Sequence, residues 1–161
     1  MFKTSLAGAL AGAALAAHAQ GGPPPAIDWE LQVVRDGQTI DTFHQKTTIG
    51  QSRTDTHQTE AALPAGCVAD PAAKPSELSR TVTVAPLYVD GDAITLSLDT
   101  QDQLDDDASR SGVAACTAAP PRQIVASHPG LNVRAGDWTD WTVVDKHPLL
   151  VYRVRARVAQ D

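Results

Sequence analysis

Apolar and polar residues alternate along several short segments of this chain, a pattern typical of β-strands with one buried face. The longest such run is "LLVYRVRARVAQ", at positions 149–160. Its arginines, Arg153, Arg155 and Arg157, fall on one face. The opposite face carries the apolar residues Leu150, Tyr152, Val154, Ala156 and Val158. A period of two residues predicts a strand here rather than a helix.

The segment "IDWELQVVRDGQTIDTFHQKTTIG", positions 27–50, predicts a β-hairpin. Asp36-Gly37 is a strong hairpin signal, because a type I′ turn needs a positive φ at both central residues. A two-residue loop places Val33 opposite Ile40 and puts Phe43 on the polar face. The predicted buried face consists of Trp29, Leu31, Val33 and Ile40.

A second hairpin is predicted in "RTVTVAPLYVDGDAITLSLDT", positions 80–100. A three-residue loop, 89–91, fits the apolar pattern best, with Gly91 in the left-handed conformation of a bulged turn. The expected facing pairs are Val82 with Leu98, Val84 with Leu96, and Pro86 with Ile94. Because proline cannot donate to a ladder, the first strand is expected to be an edge strand or to be bulged at Pro86.

Further strands are predicted at 122–127 ("RQIVAS") and 141–145 ("WTVVD"). The polar stretches 50–79 and 101–121 are expected to be loops, with at most one helical turn in "SELSR", 76–80. The pattern therefore predicts an all-β fold. We expect an antiparallel β-sandwich, immunoglobulin-like or similar, of six to eight strands.

The first residues, "MFKTSLAGALAGAALAAHAQ", have the layout of a secretory signal peptide: an early cation, an apolar run and an A-x-A cleavage site. We expect residues 1–19 to be cleaved near Ala19, residues 20–26 to form a Gly/Pro linker, and residues 27–161 to form one domain. The predicted location is the periplasm or the extracellular medium of a bacterium.

Cys67 and Cys116 are the only two cysteines. In an exported chain an even number of cysteines indicates a disulfide, and two allow one pairing. The bond would connect the two predicted long loops. A reactive thiol pair is the alternative.

The net charge of −6 argues against a general nucleic-acid binder, which needs a basic face. An acidic run includes the weak metal-ligand candidates Asp102, Asp105, Asp106 and Asp107. It lacks the EF-hand spacing, so a solvated charge run is the expected structure and an unusual calcium loop the alternative. The histidines are expected in exposed loops, with His128 and His147 in turns before proline. No metal and no cofactor are predicted.

The candidate ligand or partner contacts are Trp138, Arg153, Arg155 and Arg157. Three arginines on one face could bind an acidic group, although pairing with carboxylates of a neighbouring strand is the favoured interpretation. Trp138 and Trp141 are three residues apart, so a strand would point them to opposite faces. We expect Trp141 in the core with Trp29, and Trp138 at the rim.

No nucleophile motif such as G-x-S-x-G is present, and no catalytic residue is predicted. The expected function is that of an exported, non-catalytic binding or accessory module with a protein or glycan partner and without a membrane span. A subunit of a surface or envelope assembly is the alternative, docking by an edge strand near Pro86 or by the proline-rich arm. A small hydrolase using carboxylates is the third hypothesis.

Overall fold

A computed structural model describes residues 22–61, 77–105 and 120–160, which form eight strands in two antiparallel sheets. The first sheet has the order β2-β1-β8-β7, and the second has the order β3-β4-β5-β6. The strands are β1 (Ala26–Arg35), β2 (Gln38–Thr48), β3 (Arg53–Glu60), β4 (Glu77–Asp90), β5 (Ala93–Leu104), β6 (Arg122–Arg134), β7 (Thr139–Val144) and β8 (Leu150–Val158). The predicted all-β class and two-sheet arrangement are confirmed. No helix in the described ranges is long and apolar enough to span a membrane.

The core lies between the two sheets and is built from alternate residues of the strands. Trp29 is the largest fully buried side chain, and its indole Nε1 donates a 3.0 Å hydrogen bond to Oγ1 of Thr47. In β8 the predicted apolar face is buried from Leu150 to Ala156, whereas Val158 is exposed. The other large, fully buried side chains of the described residues are Tyr152, Phe43, Ile27, Leu31, Ile94, Leu96, Leu98, Leu150, Val33, Val82 and Val84.

The predicted register of the first hairpin is wrong beyond its turn. Asp36 and Gly37 both have positive φ, as the two-residue type I′ turn requires. A bulge at Ile40 then shifts the register, so Val33 pairs with Asp41 and Leu31 with Phe43. The extra residue reverses the faces of the rest of β2. Ile40 is therefore exposed and Phe43 is buried, the opposite of the prediction.

The second hairpin also differs from the prediction. Its loop has two residues, Gly91 and Asp92, because Asp90 pairs with Ala93. Gly91 has the predicted positive φ. The position of this loop, together with a bulge between Pro86 and Tyr88, pairs Val84 with Leu98 rather than with Leu96. Of the two alternatives expected for this strand, the bulge at its proline is present. Strand β4 is not an edge strand, because it lies between β3 and β5.

Three expectations for the polar stretches are wrong. Strand β3 lies within the predicted loop 50–79, and β5 continues to Leu104 within the second predicted loop. The described part of "SELSR" belongs to β4 rather than to a helical turn. His128 lies inside β6, not in a turn. The predicted signal peptide and the predicted Cys67–Cys116 disulfide lie outside the described residues.

Candidate functional site

A chain of polar side chains crosses the interior of the sandwich at one end. Nδ1 of His57 lies 2.8 Å from Oδ1 of Asp41, and Nη1 of Arg80 lies 3.0 Å from Oδ2 of the same carboxylate. Arg80 donates through Nε to Oδ1 of Asp102 at 2.5 Å. The hydroxyl of Tyr152 donates to Oδ2 of Asp102. These five residues connect β2 and β8 of one sheet to β3, β4 and β5 of the other.

Strand register explains why these groups meet. His57 pairs with Arg80, and Arg80 pairs with Asp102, so the three side chains form a row on one face of their sheet. Asp41 and Tyr152 flank Val33 in the other sheet, where both are register partners of that residue. Because Val33 is fully buried, its partners also face the interior.

The environment shifts the pKa values of both carboxyls, in opposite directions. Burial alone would raise the pKa of Asp41, but hydrogen bonds from His57 and Arg80 outweigh it and hold this pKa below its ordinary value of 3.8. Burial raises the pKa of Asp102 despite the nearby Arg80 guanidinium. Burial and the Asp102 carboxylate also raise the pKa of the Tyr152 phenol, which therefore remains a hydrogen-bond donor.

The exposed end of the network opens into a pocket of about 220 Å³, here called the His57 pocket. Its polar lining includes Asp41, His57, Thr59, Ser79, Arg80 and Gln103, and its apolar lining is Ile40, Leu78 and Leu104. Arg35 and Asp105 complete the wall, and Nη2 of Arg35 donates to the Asp105 carbonyl at 3.0 Å.

The His57 ring is held in a fixed orientation at the rim of this pocket. It stacks on Phe43 with 4.1 Å between ring centroids and 15° between planes. Because an ionised carboxylate only accepts hydrogen bonds, Nδ1 carries the proton shared with Asp41. The other nitrogen, Nε2, bonds to no group in the described ranges. A neutral His57 therefore presents an acceptor at Nε2.

The predicted contact residues lie elsewhere, on the outer face of the first sheet. Trp138 immediately precedes β7, and the guanidinium carbons of Arg155 and Arg153 lie 4.6 Å and 5.5 Å from its ring centroid. Such distances are typical of cation–π contacts. Arg155 also donates to Glu30 at 2.6 Å, and Arg153 donates to Asp140 at 2.9 Å.

Arg157 completes this row, with Nε 3.8 Å from Oδ2 of Asp28. All three arginines thus pair with carboxylates of adjacent strands, as the favoured interpretation states. A second cavity, of about 190 Å³, is lined by Arg155, Arg157, Asp28, Glu30 and His44 among others.

Trp141 points to the other side of β7 and is partly buried against the core. Its ring centroid lies 5.7 Å from that of Tyr152 and 5.6 Å from that of His128. Trp138 and Trp141 therefore do not form one platform.

Of the four weak metal-ligand candidates, the structure describes Asp102 and Asp105. Both carboxylate oxygens of Asp102 accept hydrogen bonds from Arg80 and Tyr152, and the backbone of Asp105 contacts Arg35. Asp106 and Asp107 lie outside the described residues. Within the described ranges, no three His, Cys, Asp or Glu side chains are grouped to hold a metal ion.

The sequence pattern does not indicate the His57 pocket. It predicts His57 in a loop, because "RTDTHQTE" contains no apolar residue to mark a buried face. A signal was present in the alternation of Thr54 and Thr56 with Asp55 and His57, since threonine favours strands. No protein-family model matches this chain, and no curated protein is significantly similar to it in sequence.

Proposed function

We propose that this protein is an exported, non-catalytic binding module that takes its ligand in the His57 pocket. In this proposal residues 1–19 direct export to the periplasm or the medium, and Cys67 and Cys116 form a disulfide in an immunoglobulin-like or similar sandwich. The expected partner is a protein or glycan of the cell envelope.

The observation that carries the proposal is the convergence of polar groups from both sheets on one pocket with apolar walls. Pockets that combine apolar lining with a few oriented polar groups and shifted pKa values are the usual places where small ligands bind. Asp41, Arg80 and Phe43 hold the groups at this site in place before any ligand arrives. A preorganised site loses less entropy on binding.

A blocking variant and a matched control test the proposal. Thr59 and Gln58 are adjacent, exposed residues of β3, and only Thr59 lines the pocket. We expect Thr59→Trp to fill the pocket and Gln58→Trp to leave it open. The measurement is a thermal-shift screen of sugars, amino acids, short peptides, dicarboxylates and nucleosides.

We expect at least one compound class to raise the melting temperature of wild type and Gln58→Trp but not that of Thr59→Trp. A screen in which no compound stabilises the wild type rejects the proposal. Stabilisation that persists in Thr59→Trp rejects this pocket as the site.

A second candidate function, as a subunit of a surface or envelope assembly, is favoured by strand β6. This strand of 13 residues lies at the end of its sheet order and carries Val125, which is 72% exposed. Exposed edge strands can pair with another chain. Concentration-dependent elution of wild type in size-exclusion chromatography, abolished by Val125→Lys, would support this function. A monomer at all concentrations would exclude self-assembly.

A further inference from the structure

Both arginines of the His57 pocket already have carboxylate partners. The Arg80 guanidinium is shared by the carboxylates of Asp41 and Asp102. Nε of Arg35 lies 4.0 Å from Oδ2 of Asp36, beside the hydrogen bond from its Nη2 to the Asp105 carbonyl. An anionic ligand would have to compete with these acceptors for the arginines, and a cationic ligand would have to compete with Arg80 for Asp41. Such exchange of partners is costly in a partly buried site.

The hydrogen-bonding groups left for a ligand include both donors and acceptors. Arg80 has N–H groups beyond its two described bonds, and its side chain is 11% exposed. Oε1 of Gln103 accepts from the backbone N–H of Ser79, whereas the Gln103 amide nitrogen bonds to no group in the described part of the chain. In a neutral His57, Nε2 offers an acceptor. A hydroxyl group both donates and accepts, so neighbouring hydroxyls on one ring can satisfy this mixed set.

We infer that the ligand of the His57 pocket is a single neutral sugar ring, bound through neighbouring hydroxyls to Arg80, Gln103 and His57. This inference rests on the proposed function. The apolar side chains of Ile40, Leu78 and Leu104 line the same pocket and would contact the C–H groups of the ring. The pocket volume of about 220 Å³ is below the roughly 300–1,000 Å³ of sites for drug-sized ligands, which limits the occupant to about one ring.

Isothermal titration calorimetry tests this ligand class. The probes are glucose, galactose, mannose and N-acetylglucosamine, with acetate and inorganic phosphate as charged competitors for the same site. Gln103→Glu keeps an oxygen for the Ser79 N–H but removes the amide donor. We expect at least one sugar to bind wild type and Gln58→Trp equally, and to bind Gln103→Glu and Thr59→Trp at least about tenfold more weakly.

Acetate or phosphate binding that Thr59→Trp abolishes, without sugar binding, would overturn the sugar and leave the pocket as a binding site. Sugar binding unchanged in Thr59→Trp would overturn the assignment to this pocket. If no probe binds here, the sugar class is rejected. If the thermal-shift screen also finds no ligand, the proposed function is rejected with it.

Discussion

The buried carboxylate of Asp102 depends on Tyr152 for one of its two hydrogen bonds. Replacing this tyrosine by phenylalanine keeps the ring in the core but leaves Oδ2 of Asp102 without its described donor. Because an unpaired buried polar group keeps its desolvation cost, we expect Tyr152→Phe to lower the free energy of unfolding by about 1–3 kcal/mol. Urea denaturation measures this change.

Tyr88→Phe is the matched control, because Tyr88 is 57% exposed. Its effect should stay within about 0.5 kcal/mol. Equal effects of the two substitutions would show that the Tyr152 hydroxyl contributes nothing specific.

Asp41 makes a pH-dependent contribution whose sign follows from its pKa. Folding lowers this pKa, so the ionised carboxylate stabilises the protein above pH 3.8, and the contribution is lost as the pH falls below 3.8 through the folded value. Asp41→Asn lacks this titration. We therefore expect wild type to be more stable than the variant at about pH 5, and this difference in unfolding free energy to decrease as the pH is lowered to below 3.8.

Urea unfolding of both proteins across this pH range is the measurement. Asp102, whose folded pKa is raised first by burial and also by the Asp41 carboxylate, titrates in the opposite sense in both proteins, and Asp41→Asn removes only the smaller of these two causes. A difference that stays constant or widens with acid would contradict the assignment of the lowered pKa to Asp41.

At the scale of elements, the bulge in β2 decides which side chains enter the core. Ile40 is the extra, unpaired residue of the bulge and is 42% exposed. The bulge places Phe43, three residues later, on the buried face. We expect Phe43→Ala to cost about 3–5 kcal/mol, as for other large core residues, and Ile40→Ala to cost less than about 1 kcal/mol. Chemical denaturation of the two variants checks the bulge, since a hairpin without it predicts the reverse order.

The same element shows how far the sequence could predict the fold. Turn chemistry identified Asp36-Gly37, and alternation identified the buried face of β8 from Leu150 to Ala156. Neither signal reports a bulge, because an inserted residue leaves the local composition unchanged and changes only the pairing. Pairing is set by the partner strand, which the pattern of one segment does not contain.

The candidate site was harder to predict than the fold for a related reason. Its residues come from five strands, and one of them, β3, is polar throughout. Asp102 was predicted to be a solvated acid because it lies in an acidic run, but Arg80 and Tyr152 pair with it across strands. Cross-strand partners far apart in sequence do not appear as a motif. By contrast, the pairing of Arg153 and Arg155 with carboxylates followed from ordinary cross-strand chemistry.

At the scale of the whole molecule, the two terminal hairpins combine into one sheet, and the four middle strands form the other. The hydrogen-bonded side chains that lead from His57 to Tyr152 connect these two sheets where the His57 pocket opens. The pocket therefore depends on both sheets being assembled.

Export is a prediction about the whole chain. We expect the protein recovered from the periplasm or medium to begin at Gln20 and to contain a Cys67–Cys116 disulfide. Intact mass spectrometry after alkylation, with and without reductant, measures both features. Retention of residues 1–19, or alkylation of both thiols without reductant, would contradict the prediction.

The position of the bound ligand tests the central claim most directly. Amide chemical shifts of the ¹⁵N-labelled wild-type protein can be followed while the best-binding hexose is added. We predict the largest changes at His57, Ser79 and Gln103, which line the pocket. Changes centred on Trp138 and Arg155, or no changes at all, would contradict hexose binding in the His57 pocket.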